Sequence, residues 1–465
     1  MPRPRRAALL SSAMLVVVAS VAARVSFGGC SATTPAADGK PERAADASAM
    51  STSSDAPFGP PRPPPLDRAL RVIVGGDILP HRPSLIAPAA ISAALAPLGS
   101  LFAKADAAVA NYEAATGDVD PKAFRLAYAA PHGWLEELPK AGLRAVTVAN
   151  NHACDLGEAG LLATLESAGK SGLITLGADA SDPWAPRTIV EQNGKRICAV
   201  AWTTLSNSAG GCSKSRHLAV APLGVSGKQR IDRAFAKART QCDATIAIFH
   251  GGAEYAPQTT LVMDQAAHAA EAGADAVIIH HPHIASPVVV HKAKDGRSVP
   301  LFASVGNLVT NQGESWKPPM FPVLPEDRHL VCVNGWTRLG VLADLSFTFD
   351  ANGQKRPRLD WGMHLVWIEN EHAVDRAVAM PKIEARLLTL PGDRAIVEAL
   401  SKDRKGPLAL FSDPCWVKRE GGAEPGTGVR DGRCSSAAPA AAAGEAASGL
   451  APGHASKRAS SRRKK

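Results

Sequence analysis

Before residue 310, six short apolar runs each end at side chains that can ligate a metal or move a proton. Val72-Ile73-Val74-Gly75-Gly76 leads to Asp77, Ala108-Val109-Ala110 leads to Asn111 and Glu113, and Val146-Thr147-Val148-Ala149 leads to Asn150, Asn151, His152 and Asp155. Farther on, Ile246-Ala247-Ile248-Phe249 leads to His250 and Glu254, Val277-Ile278-Ile279 to His280, His281 and His283, and Phe302-Ala303-Ser304-Val305-Gly306 to Asn307. Singly, an Asp after a glycine is an ordinary turn or cap residue, and a lone His is an ordinary buried histidine. Their recurrence in order points to one shared site. A pair of hard divalent cations needs carboxylate oxygens, one of which can bridge. It also needs neutral imidazoles and an amide oxygen that fix geometry while positions stay open for water and substrate. Asp77, Glu113, Asn151, His250, His281 and His283 supply that set, with Asn111, Glu254, His280 and Asn307 as candidates for contacts behind the ligands or to substrate. His281-Pro282-His283 is the most specific single piece, two imidazoles two residues apart on a strand end and therefore projecting to one side.

The runs 71–75, 107–110, 144–149, 245–249, 276–279 and 301–305 have the length of buried strands. Between them, 131–141, 158–170, 227–239 and 261–272 have helical length and periodicity, the first and last followed by Gly142 and Gly273 where a helix would stop. This alternation predicts an α/β core, whose sites form outside the carboxyl ends of the strands. Asn193-Gly194, between 187–192 and 195–201, and Asn352-Gly353, between 341–349 and 363–368, predict hairpins, so antiparallel strands are mixed in.

The ordered runs Gly76-Asp77-Ile78, Asn111-Tyr112-Glu113, Ala149-Asn150-Asn151-His152 with Asp155 and Gly157, His250-Gly251-Gly252-Ala253-Glu254-Tyr255, Ala272-Gly273-Ala274-Asp275 followed by His280-His281-Pro282-His283, and Gly306-Asn307 resemble the CapA family. These are poly-γ-glutamate capsule biosynthesis proteins, a branch of the calcineurin-like metallophosphoesterase superfamily. The resemblance spans roughly residues 70 to 310. It implies a four-layer α/β/β/α metallophosphatase-like sandwich with mixed sheets and two divalent ions, manganese, iron or zinc, at the strand ends. It also implies Glu113 as the bridging ligand, Asp77 and His283 on one ion, and Asn151, His250 and His281 on the other. His152 would act beside the scissile group as acid or electrostatic stabiliser, with Asp155 orienting it. The chain departs from the pattern in places. Leu79 stands where the superfamily has a His two residues after the Asp, Ile279 where the family has Gly, and Gly251 where it has an aromatic residue. His81 is the nearest substitute for the missing imidazole, although a loop His before Arg82-Pro83 is expected to be exposed. The implied function is a cell-envelope metal-dependent hydrolase or transferase in the synthesis, export or anchoring of an anionic polymer such as poly-γ-glutamate, working with other capsule-synthesis proteins. Two alternatives stand beside it: a non-catalytic polymer-binding component of an export assembly, and a general periplasmic phosphodiesterase.

The ends of the chain read as address and tether. Residues 1–29 have a basic start and an apolar run, the order of a signal peptide, and Gly28-Gly29-Cys30 resembles a bacterial lipobox with Cys30 as the lipidated residue. An uncleaved N-terminal anchor is the other reading, and both export the body to the periplasm or outer surface. Residues 30–69 read as a disordered stalk, 70–370 as the CapA-like domain, 371–434 as an extension without a functional reading, and 435–465 as a disordered Ala/Gly/Ser-rich and basic tail. The formal net charge is +9, but nine basic residues at the two extreme ends account for all of it. The body is neutral, which excludes the basic groove of a nucleic-acid reader. Beyond Cys30, the remaining cysteines, at 154, 198, 212, 242, 332, 415 and 434, show no metal or redox spacing. In an exported protein some would oxidise, and an odd number leaves one unpaired.

Overall fold

The computed structural model describes residues 69–400 apart from 82–83, 120–127, 208–211, 213–214, 321–327, 350–355 and 390–391. The leader, Cys30, the stalk, Cys415, Cys434 and the tail lie outside the described residues. Two mixed sheets form the centre. The first runs in the order β16 (Ile383–Leu387), β15 (Arg358–Asn370), β14 (Leu339–Thr348), β1 (Leu70–Ile78), β2 (Ala107–Tyr112), β5 (Ala145–Thr147), β6 (Ile174–Leu176), and β13 (Asn307–Val309) pairs with the end of β1. The second runs β11 (Ala285–Lys292), β12 (Ser298–Val305), β10 (Ala276–His280), β9 (Ala244–His250), β8 (Lys195–Thr203), β7 (Arg187–Gln192). A small pair, β3 (Ala115–Thr116) and β4 (Ala129–Ala130), stands apart.

Strand periodicity divides the side chains among three cores. On β1, Val72 and Val74 enter the core between the sheets while Ile73 faces outward; on β9, Ile246 and Ile248 point inward while Ala247 and Phe249 point out. The outer face of the first sheet is covered by α1 (Pro88–Leu95), α2 (Gly99–Ala103), α3 (Glu137–Lys140) and α4 (Gly157–Lys170) through Ile91, Leu95, Phe102, Leu138 and Leu161. That of the second is covered by α5 (Val225–Gln241) and α6 (Thr260–Ala272) through Ile231, Phe235, Val262 and Ala266. The result is the expected α/β/β/α sandwich. Burial on both faces is the reason the inner strands read as unbroken apolar runs.

The Asn193-Gly194 hairpin forms between β7 and β8, with φ of +53° and +73° at its two turn residues and Gln192 opposite Lys195. β14 and β15 pair antiparallel up to Thr348 and Arg358, and Asn352-Gly353 falls outside the described residues. The helix expected over 131–141 is reduced to α3, because Gly133 turns left-handed at φ +86° and breaks the segment after Pro131. The Ala-rich α1 and the short α2 were not anticipated. Sheet and core continue past residue 370: β16 edges the first sheet, and Leu388, Ala399 and Leu400 join the inter-sheet core. Cys154 pairs with Cys212 and Cys198 with Cys242, Cys332 is also disulfide-bonded, and no described cysteine is free. Among the described residues no helix is long and apolar enough to cross a membrane.

Candidate metal centre

A bulge in β1 aims the first ligand. Val74 pairs with Val109 and Asp77 with Asn111, so Gly75-Gly76 inserts one residue more than β2 supplies. Position 76 must be glycine, since a Cβ there would lie 2.1 Å from the Gly306 carbonyl oxygen. This close approach lets the Asp77 N–H donate to that oxygen at 3.0 Å. Register then places Asp77 beside both Asn111 and Asn307, Asn111 beside Thr147, and, in the other sheet, His250 beside His280. Those pairs lie on parallel strands, and all but Asn307, which opens β13, stand at or near strand carboxyl ends, so they gather at one edge of each sheet; His280 joins the two edges by donating from Nε2 to Gly75 O at 2.9 Å.

Two groups of potential ligand atoms, each within 4.8 Å of one another, share Glu113: Glu113 with His281 and His283, and Glu113 with Asp77 and His250. All are buried. His250 Nε2 lies 2.7 Å from Asn151 Oδ1 and 3.5 Å from Glu113 Oε1, while His283 Nε2 lies 3.7 Å from the same Glu113 oxygen. Among the described residues, neither Glu113 oxygen receives a hydrogen bond, although both are shut off from solvent. A buried carboxylate with no donors costs several kcal/mol unless a positive charge compensates it. Imidazole and amide atoms at these separations fit such a charge, because two ligands at ~2.1 Å from one ion stand roughly 3 to 3.5 Å apart. The residues present therefore fit divalent cations. Glu113 belongs to both groups, as a bridging ligand must. The structure also brings Asp77 against His283, with Oδ2 and Nδ1 at 3.2 Å, and the rings of His250 and His281 to 4.7 Å.

Neighbours fix the orientation of these side chains. The Asn307 amide nitrogen donates to His283 O, Gln312 Oε1 and Thr337 O at 3.2, 3.0 and 2.9 Å. Its oxygen therefore faces His283 Nδ1, 3.0 Å away. With two acceptors beside it, Nδ1 carries the proton and Nε2 turns to Glu113, which is the second-layer support a ligating histidine needs. Asn111 accepts from Thr147 and Asn150 on its oxygen, so its nitrogen donates to Asp77 Oδ1 at 2.8 Å. Charge follows the same pattern. Burial, then the charge of Asp77, pushes Glu113 well above the usual carboxylate range. Asp77 is held low despite its burial by its bond to His283 and the charges of His280 and His283. Burial opposes a charge on His283, but Glu113 and Asp77 outweigh it and raise that imidazole to about 10. His250 is held well below its ordinary value by burial and the neighbouring histidines, which keeps it in the neutral, ligating form.

His152 stands beside this centre. Its Nδ1 lies 2.8 Å from Asp155 Oδ2, and Asn207 Nδ2 lies 3.4 Å from its Nε2. Asp155 is itself held by the Tyr128 N–H at 2.8 Å. Glu254 is half-buried, and its charge reaches both Glu113 and His283. Two expectations need correction. His281-Pro282-His283 does not lie on a strand: β10 stops at His280, and the two rings converge because His281 and His283 adopt φ of +101° and +58°, a strained backbone for non-glycine residues. His81 is not an exposed loop residue. It is half-buried, with Nδ1 facing Asn311 and Thr310, and it belongs to neither ligand group. Tyr128, Asn207 and Gln312 were missed, because each stands on an irregular segment with no apolar run to mark it.

Fold and site together define a two-sheet α/β protein with a buried carboxylate and imidazole centre at its strand ends. The chain belongs to the bacterial capsule synthesis protein PGA_cap family, whose profile matches residues 71–312 and so includes every candidate ligand from Asp77 to His283. It is 32% identical over 168 residues to the PGA biosynthesis protein CapA of Bacillus subtilis (strain 168), covering 36% of this chain and 42% of that one. It is 24% identical over 181 residues to the capsule biosynthesis protein CapA of Bacillus anthracis, covering 38% and 43%. The matched stretches thus span about two-fifths of these relatives. The crystal structure of calcineurin-like phosphoesterase YfkN from Bacillus subtilis overlaps 74% of this chain and 99% of its own at a TM-score of 0.37 and 13% identity, too distant for any residue to be carried over.

Proposed function

We propose that the protein is a metal-dependent hydrolase or transferase acting on phosphoryl or acyl groups in capsule polymer biosynthesis, with an anionic polymer such as poly-γ-glutamate or its phosphorylated intermediate as substrate. The observation that carries this reading is Glu113, a buried carboxylate shared by two ligand groups and accepting no hydrogen bond. Asp77, Glu113, Asn151, His250, His281 and His283 would hold two divalent ions. When bound, such ions polarise a phosphoryl or acyl oxygen and make water acidic enough to attack near neutral pH. The chain's own groups do the rest. Asp155 keeps a proton on His152 Nδ1, so Nε2 is the atom that takes up a proton and passes it to the leaving oxygen. Asn207 steadies that nitrogen in the resting site.

Support for export to the cell envelope comes from disulfides such as Cys154–Cys212 and Cys198–Cys242, which join distant segments, a feature of oxidising compartments. The membrane attachment would run through Cys30. In this reading the protein works beside other capsule-synthesis proteins at the membrane.

The test is turnover of bis(p-nitrophenyl) phosphate and of γ-linked glutamate oligomers by the full-length chain loaded with manganese, iron or zinc. Loss of turnover in a folded Glu113→Ala or His281→Ala protein is expected. Undiminished turnover in those variants would refute the metal mechanism. Turnover of the aryl ester with indifference to the oligomer would favour a general phosphodiesterase.

A further inference from the structure

His81 and Tyr128 stand outside the ligand groups, yet each is fixed in place and, among the described residues, keeps one free donor. The His81 N–H donates to Leu79 O, and its carbonyl accepts from Leu85 N, both at 2.8 Å. Its Nδ1 accepts the Asn311 N–H at 3.1 Å and lies 3.0 Å from the Thr310 hydroxyl. That hydroxyl already accepts from Gln312 N at 3.1 Å, which leaves its own proton to point at the imidazole. A nitrogen facing two donors cannot carry a proton, so the ring is neutral with its N–H on Nε2. Burial, joined by the charges of His283 and His152, lowers this imidazole to about 3, so it stays neutral.

Tyr128 is anchored in the same way. Its N–H is held by Asp155 and its carbonyl by Ala115 N at 3.0 Å. Burial, with the negative charges of Glu254, Glu113 and Asp155, pushes its hydroxyl up, so it remains an O–H. The three rings stand in a row, His81 to Tyr128 at 5.1 Å and Tyr128 to His152 at 4.1 Å, the second pair edge-on. Among the described residues, neither His81 Nε2 nor the Tyr128 hydroxyl has an acceptor.

We propose that His81 and Tyr128 form an oxyanion-binding wall beside the metal centre, in which the His81 Nε2–H and the Tyr128 hydroxyl donate to the charged oxygens of a phosphoryl or carboxylate group while His152 faces the leaving oxygen. This rests on the hydrolase reading above. Both donors are neutral, which suits their surroundings. An arginine in their place would pair with Asp155, Glu254 or Glu113, whereas a fixed N–H and O–H add hydrogen bonds for the anion without competing for those carboxylates.

The experiment titrates the full-length, metal-loaded protein calorimetrically with inorganic phosphate and, separately, with glutarate. Wild type is compared with Tyr128→Phe, His81→Phe and the double variant, and metal content is measured on every sample. The expected result is unchanged metal content, binding of at least one anion by the wild type, and a loss of about tenfold in its affinity for each donor removed. The anion that responds identifies the group the wall holds. Imidazole ¹⁵N spectra should show His81 as the Nε2–H tautomer from pH 5 to 8, with a resonance that moves when that anion is added. Tyr128→Phe removes one oxygen only, so it keeps the test valid if His81→Phe folds poorly. Equal anion affinity in wild type and the folded variants overturns the wall and leaves the hydrolase reading standing. So does a charged His81 at pH 6, or metal lost on replacing it. A wild type that holds its metals and binds neither anion overturns both.

Discussion

Replacing Glu113 by Gln should change stability in opposite directions with and without metal. The side chain is fully buried, its oxygens accept no hydrogen bond, and a ligand oxygen of Asp77 lies within 4.8 Å of one of its own. Two carboxylates at that distance repel by about 3 kcal/mol at an effective dielectric near 20. The neighbouring His283 offsets part of this repulsion, so the relief on substitution is about 1 to 3 kcal/mol. In EDTA, Glu113→Gln should therefore melt about 2 to 6 °C above wild type, at about 2 °C per kcal/mol for a domain of this size. With a divalent ion at one hundred times its Kd, each wild-type site gains about 2.7 kcal/mol, so two sites raise Tm by roughly 10 °C. Both ligand groups lose a member in the variant, and most of that gain should vanish. Differential scanning calorimetry of both proteins, in EDTA and in excess manganese or zinc, reads all four states. A variant less stable than wild type in EDTA, or one with an undiminished metal-induced shift, would refute the assignment of Glu113 as a shared ligand.

Other consequences follow from particular contacts. His152→Gln should keep full metal content and lose about 10² to 10⁴ in kcat, the range for removing a positioned proton donor, in steady-state assays with an aryl phosphodiester. Asp344 lies buried between Arg71 and His364, at 2.6 and 2.9 Å, which hold its carboxyl far below the usual range against the cost of burial. A carboxyl depressed on folding contributes stability that is fully present above its unfolded value near pH 4 and lost as pH falls toward the folded one. Asp344→Ala should then cost about 3 to 5 kcal/mol at pH 7 and flatten the acid limb of a denaturation profile. Opening the Cys154–Cys212 bridge by a double Ser substitution releases a link across 58 residues and should cost about 4 kcal/mol by loop-closure entropy, read by urea denaturation.

Much of this architecture was legible because the inner strands are buried on both faces. An apolar run such as 246–249 can then be neither an exposed strand nor an amphipathic helix, and the polar residue after it falls at a sheet edge. The Asn193-Gly194 hairpin was legible for a local reason, since both turn residues tolerate the left-handed backbone they adopt. The convergence of His281 and His283 had a different cause from the one their spacing suggested. Residue type does not encode a positive φ at histidine, and only the packed loop imposes it. The supporting residues were illegible. Asn207 meets His152 across 55 residues, and Gln312 reaches Tyr255 Oη at 2.9 Å from a different loop. His81 looked like a loop residue because its partners, Thr310 and Asn311, follow β13, whose pairing with β1 brings them back to it.

The measurement that bears most directly on the account is the metal content of the full-length protein by elemental mass spectrometry, beside a His281→Ala/His283→Ala double variant. Nearly two divalent ions per wild-type chain, lost in the variant, is the result the shared-carboxylate centre predicts. A wild-type chain that stays metal-free after reconstitution with manganese, iron and zinc would contradict it.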